Sequence, residues 1–186
     1  CRETTSIPYE DYARFQVKKG PRDKNGDGVR AGLTNISRIE SFENVNGERV
    51  PCEGRLYYRG INVEDLVGGF LSENRFGFEE SAYLLLFGKL PDPEELTAFE
   101  KTLACCRTLP RNFTRDVIMK APSRDIMMSL SKSVLMLSSY DKRADDISIE
   151  NVLRQSLMLI SIFPMISVYG YHAYNHYIRG KSMYIH

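Results

Sequence analysis

The longest apolar run of the chain, Leu157 to Tyr171, limits the possible folds more than any other feature. Ser161, Pro164 and Ser167 interrupt it, which makes it too short and too polar for a membrane span. It reads as the middle of a buried helix. Leu157, Met158, Leu159, Ile160, Ile162, Phe163, Met165 and Ile166 are apolar around more than one face, so such a helix has to be covered on several sides. Burying one such side chain stabilises by roughly 1.5–3 kcal/mol, and a partner chain is one way to cover them. Ser148 and Asn151 open this helix and Arg179 marks its far limit. Pro164 should kink it, because proline removes a backbone hydrogen bond and clashes with the preceding turn.

The remaining chain reads as helices behind one hairpin. Pro8 after Ser6 starts a first helix with Tyr9, Tyr12 and Ala13 on one face, and Gly20-Pro21 stops it. Asn46-Gly47 lies between two apolar runs, Ile36, Ile39 and Phe42 before it and Val50, Leu56 and Tyr57 after it. That is the strongest short-range hairpin signal. Asn62 caps a helix carrying Val63, Leu66, Val67 and Phe70, with Asp65 three residues on. The span 78–87 is apolar nearly all round through Tyr83-Leu84-Leu85-Leu86 and should be deeply buried, with Gly88 closing it. Asp92-Pro93-Glu94-Glu95 supplies an N-cap, a first-turn proline and a capping acid. Leu96, Phe99 and Leu103 line the face of the helix it starts. Phe113 to Met119 is a short helix between Pro110 and Pro122. Ser123 caps a helix with Met127, Leu130, Val134 and Leu137 in step, and Tyr140 to Ile147 is a polar loop. The fold class is all-α with a small N-terminal β-hairpin. Residues 1–31 form a helix and turn, 32–60 the hairpin and 61–186 a helical bundle.

With Lys+Arg 25 against Asp+Glu 24, the net charge is +1 over 186 residues. That gives no electrostatic case for nucleic acid or an anionic membrane. The cysteines are Cys1, Cys52, Cys105 and Cys106. Two are adjacent and none forms a Cys-x-x-Cys pair, so free buried thiols in a reducing, cytoplasmic compartment are expected. The chain starts at Cys1 rather than Met and stops after an aromatic-rich stretch, and both ends read as cut.

Three motifs invite a functional reading. Asp23-Lys24-Asn25-Gly26-Asp27-Gly28 matches the first half of a calcium loop, but Thr34 stands where the bidentate Glu belongs and Arg30 where an apolar residue belongs. It reads as a Gly-Asp turn. Gly26-x-Gly28-x-x-x-Gly32 is one residue too long for a dinucleotide fingerprint. His172 and His176 share a helix face among Tyr169, Tyr171, Tyr174 and Tyr177, with no Asp, Glu or Cys from Asn151 to His186. They read as a packing or interface face, since a stable metal site needs ligands from elsewhere. No nucleophile elbow, phosphate loop or Cys/His arrangement is present. The residues assign no catalytic, cofactor-binding or metal-ligating position.

Five stretches nevertheless resemble one family, the citrate synthases, above all the bacterial ones. They are Gly32-Leu33-Thr34; Gly54-Arg55-Leu56-Tyr57-Tyr58-Arg59-Gly60-Ile61 with Val63-Glu64-Asp65-Leu66; and Phe78-Glu79-Glu80-Ser81-Ala82-Tyr83-Leu84-Leu85-Leu86-Phe87-Gly88-Lys89-Leu90-Pro91. Pro122-Ser123-Arg124-Asp125-Ile126-Met127 with Ser133-Val134 and Tyr140-Asp141 follows, then Phe163-Pro164 with Ala173-Tyr174.

The resemblance implies the N-terminal part of an enzyme that condenses acetyl-CoA with oxaloacetate to citrate and CoA, with no metal or other cofactor. It implies a mainly helical large domain and a homodimer formed through the helix 148–179. The family's two histidines and aspartate lie in motifs beyond His186. No catalytic role therefore passes to His172, His176 or His186, and the chain alone is expected to be inactive. Two alternatives remain: a 2-methylcitrate synthase using propionyl-CoA, and a non-enzymatic helical interaction or calcium-binding module. Small-molecule substrates are expected only for the full-length enzyme.

Overall fold

The computed structural model describes residues 4, 6–20, 22 and 29–183. Cys1, His186 and the aspartate-rich stretch Asp23–Gly28 lie outside the described residues. The chain divides into two compact units, 1–99 and 100–186.

The first unit includes α1 (Tyr9–Arg14), preceded by Pro8. The expected start is right and the expected end is not. The helix stops after six residues, Gln16 takes a positive φ of 50°, and no residue of α1 is buried. With no buried residue to hold it, so short a helix gains little beyond its own hydrogen bonds and the stacked rings of Tyr9 and Tyr12.

The hairpin forms as expected from β1 (Ser37–Val45) and β2 (Glu48–Tyr58), antiparallel, with Val45 facing Glu48. Asn46 and Gly47 turn the chain at φ +53° and +87°, the pair of positive angles that a tight two-residue turn requires. The register slips between Glu40, opposite Arg55, and Phe42, opposite Pro51. Beyond the expectation, Arg59-Gly60 makes a second such turn (φ +50° and +88°) and adds β3 (Ile61–Asn62) to give the order β1-β2-β3.

In α2 (Val63–Ser72) the Asn62 side chain accepts a hydrogen bond from the Glu64 amide at 3.1 Å. Leu66 and Phe70 are buried and Val67 is exposed. These two join Leu84 in a small core, against which Tyr58 and Ile61 pack. Leu84 belongs to α3 (Phe78–Phe87), which Gly88 closes at φ +81°. Deep burial of α3 is not found. Leu84 is its only buried residue, and Phe78 is exposed. Within unit 1 the rings of Tyr83, Phe87 and Phe99 meet at centroid distances of 4.5, 5.4 and 6.0 Å.

α4 (Pro93–Cys106) carries the full capping box. Asp92 Oδ1 accepts from the Glu94 and Glu95 amides at 3.0 and 2.8 Å, and Glu95 Oε2 accepts from the Asp92 amide at 3.1 Å. Phe99 and Leu103 are buried.

The second unit is helical. Its core holds Phe113, Val117, Ile118, Leu137, Ile162, Ile166 and Ala173. The expected short helix is a π-helical segment, Thr114–Met119. α5 (Ile126–Ser138) is capped by Asp125, whose Oδ1 accepts from the Met128 amide at 3.2 Å. Ser123 Oγ accepts instead from the Asp125 amide. Ser133 and Leu137 are buried on α5, while Met127 is 69% exposed and lies off the expected face.

α6 (Ile149–Tyr177) continues through Pro164 for 29 residues. The helix expected over 148–179 is thus found over 149–177, and by length and composition alone it could cross a membrane. Its buried positions include Asn151, Ser161 and Asn175, while Ile162, Ile166 and Ala173 enter the core of the unit. Only 17% of its most apolar 18-residue stretch is buried within the chain.

Candidate functional site

In unit 1, Arg59 gathers the Asn35 side chain and two backbone carbonyls. Its Nη2 and Nε donate to the Leu85 carbonyl at 2.8 and 3.2 Å, and Nη1 donates to the Thr4 carbonyl at 2.9 Å and to Asn35 Oδ1 at 3.3 Å. Asn35 Nδ2 also donates to the Thr4 carbonyl. These donors satisfy a carbonyl in the last turn of α3, which has no helical partner of its own. The guanidinium is thus committed to structure.

Beside this cluster an open groove of about 590 Å³ has apolar walls at Ile7, Pro8, Phe15 and Leu33 and cationic side chains at Arg30 and Arg38. Arg30 Nη1 donates to the Phe15 carbonyl at 2.8 Å, and Arg38 pairs with Glu40 at 3.1 Å while lying over the Tyr57 ring.

In unit 2 the loop before α6 is clamped onto its first turns. Asn151 is fully buried. Its Nδ2 donates to the Arg143 and Asp146 carbonyls at 2.8 and 2.7 Å, and its Oδ1 accepts from Arg154 Nε at 2.9 Å. Asp141 accepts from Gln155 Nε2 (3.0 Å), the Arg143 amide (3.0 Å) and Arg154 Nη2 (2.6 Å), which together hold its carboxyl down at about 2. Asp146, paired with Arg143 and accepting from the Ser148 amide, is likewise lowered to about 2. Ser148 Oγ accepts from the Asn151 amide, as the sequence indicated. All of these groups serve the loop, and none is left over for acid–base chemistry.

His172 is half-buried and His176 exposed, both near the end of α6. His176 Nδ1 lies 3.0 Å from the Lys181 carbonyl oxygen, and the two rings make edge contacts with Tyr171 and Tyr177. The packing face expected here is therefore only partly covered. Neither histidine hydrogen-bonds a carboxylate among the described residues. Those residues also hold no group of three or more His, Cys, Asp or Glu side chains suited to a metal. The thiols of Cys52, Cys105 and Cys106 are free, but Cys105 is exposed and the other two are half-buried, so the expected burial is not found. The sequence reading missed the Arg59 cluster and the Asn151 clamp. The signals available were an arginine in a tight-turn position and an asparagine at the third position after a serine cap.

The fold defines a mainly helical scaffold fronted by a small antiparallel sheet, with its polar groups engaged in caps and clamps. Comparison with known proteins names the class. The family model described as citrate synthase, C-terminal domain, matches residues 26–185. The chain belongs to the citrate synthase family, whose members matched here are acyltransferases. It is 32% identical over 115 residues to a citrate synthase of Saccharolobus solfataricus, covering 61% of this chain and 28% of that protein. It is 39% identical over 94 residues to 2-methylcitrate synthase 1 of Corynebacterium glutamicum, covering 50% and 19%. The chain thus spans less than a third of either relative. The crystal structure of citrate synthase from Pyrobaculum aerophilum shares the fold at a TM-score of 0.61 and 23% identity, over 90% of this chain and 41% of that one.

Proposed function

We propose that this chain is the N-terminal, structural part of a citrate synthase, an enzyme that condenses acetyl-CoA with oxaloacetate. In that reaction the acetyl methyl group loses a proton and its carbon bonds to the ketone carbon of oxaloacetate. Water then cleaves the thioester, and citrate and CoA leave. The family match over 26–185 supports the citrate synthase part of this reading. The two histidines and the aspartate of the chemistry are assigned to residues outside this chain. No residue here is assigned a catalytic, cofactor-binding or metal role in that reaction, and the reaction is taken to need no metal or other cofactor. A cytoplasmic location goes with the reading and suits the free thiols.

The helix 148–179 is proposed as the dimer contact. Val152, Phe163, Val168 and Tyr171 on α6 each leave 40% or more of their surface exposed, and a second copy would remove that surface from water. Light scattering of the purified chain tests this point, with a dimer expected. Mixing the chain with acetyl-CoA and oxaloacetate and following CoA release tests the larger claim. No release above background is expected, and turnover by the chain alone would overturn it.

The relative named 2-methylcitrate synthase 1 supports a second reading, in which propionyl-CoA is the acyl donor. Rates of the full-length enzyme with the two acyl-CoAs separate them.

A further inference from the structure

We propose that His172 and His176 form a two-imidazole chelate for a divalent transition metal of the nickel, copper or zinc class, with water in the remaining positions. The two residues stand four apart on the unbroken α6, which brings their Cβ atoms to about 5–6 Å on one face. The second observation concerns the tautomer. His176 Nδ1 is 3.0 Å from the Lys181 carbonyl oxygen. A carbonyl only accepts, so Nδ1 carries the hydrogen and Nε2 keeps its lone pair. Metal-binding imidazoles are usually held in this way, one ring nitrogen donating to a carbonyl while the other faces the ion.

His176 is exposed, and half-buried His172 has an aromatic edge contact but no hydrogen-bonded ring nitrogen among the described residues. The pair sits in the last turns of α6, where the backbone carbonyls present the negative end of the helix. The chain from Asn151 to His186 supplies no carboxylate or thiol. An imidazole-only donor set favours nickel, copper or zinc and disfavours calcium and magnesium. Arg179 and Lys181 follow directly and oppose a bound cation, which places the site in the weak, exchangeable class.

Calorimetric titration of the untagged chain with Ni²⁺ in mildly alkaline buffer tests this. One nickel per chain is expected. His172→Gln and His176→Gln should each weaken it about tenfold or more, with an unchanged circular dichroism spectrum. His186→Gln should leave binding as it was. Absence of binding overturns the proposal, as does binding that ignores the first two substitutions or falls equally with the third. A dimer that binds no nickel would remove this site and leave the dimer reading standing.

Discussion

The Arg59 guanidinium donates twice to the Leu85 carbonyl, through Nη2 at 2.8 Å and Nε at 3.2 Å, and so ties the turn after β2 to the last turn of α3. Arg59 holds this position from a left-handed backbone conformation, φ +50°. Such a conformation costs a non-glycine residue energy that the surrounding contacts must offset. The planar fork is what the geometry uses. Arg59→Ala should destabilise the chain by about 1–3 kcal/mol, because the Leu85 carbonyl loses both its guanidinium donors while the Thr4 carbonyl keeps Asn35. Arg59→Lys should recover less than half of that, since one ammonium cannot replace the fork. Urea unfolding of the three chains measures it. A lysine variant as stable as the parent would show that charge alone, not the fork, is needed.

Gly77 lies against the ring of Phe70. A Cβ built there falls 1.9 Å from Cδ2 and 2.1 Å from Cε2 of that ring. The φ of Gly77 is −110°, so the conflict is steric and not one of backbone preference. Gly77→Ala should cost about 1–3 kcal/mol through overpacking. Adding Phe70→Leu should return part of the loss despite removing core volume, which a double-mutant cycle would read as a favourable coupling.

What the sequence disclosed follows from the range of the interactions involved. Asn46-Gly47 and Asp92-Pro93-Glu94-Glu95 were legible because positive φ and capping act within four residues and demand particular residue types. Arg59-Gly60 makes the same kind of turn and passed unnoticed, since arginine is selected there by a carbonyl 26 residues away. The cap of α5 fell on Asp125 and not Ser123 because both side chains can accept and only backbone geometry chooses between them. Met127 was assigned to the packed face by spacing alone, yet the buried residues of α5 are Ser133 and Leu137, the Ser133 hydroxyl satisfied by the Ser129 carbonyl at 2.8 Å. The histidine pair was legible as a shared face. Its tautomer was not, because Lys181 reaches His176 only after the chain turns at Gly180.

Acid should release the loop that precedes α6. Asp141 and Asp146 both titrate near 2 in the folded chain, against about 3.9 when unfolded. A carboxyl lowered by folding contributes stability above its unfolded value, and that contribution is lost as pH falls from about 4 through about 2. Melting temperature plotted against pH should therefore drop across that window. Asp141→Asn should lie below the parent at neutral pH and show a shallower drop. Asn151→Ala, which takes the side-chain donor from the Asp146 carbonyl and one of three donors from the Arg143 carbonyl, should cost about 1–3 kcal/mol with little dependence on pH. A parallel pair of curves for the parent and Asp141→Asn would show that Asp141 is not part of the acid response.

Pro164 offers the opposite sign. It stands within the unbroken α6, where its nitrogen has no hydrogen to give the Ile160 carbonyl four residues earlier. Its surroundings are open, so the smaller alanine side chain leaves no buried cavity. Pro164→Ala supplies the missing donor and removes the ring clash, and should stabilise the chain by up to about 3 kcal/mol, the usual interior cost of proline in a helix. Thermal unfolding followed by the helical signal at 222 nm measures this. Such a gain would mean that the proline is kept for the shape it gives α6 and not for stability. A loss would mean that the proline ring contributes packing that alanine forfeits, and light scattering on the same variant would show whether that packing lies within one chain or between two.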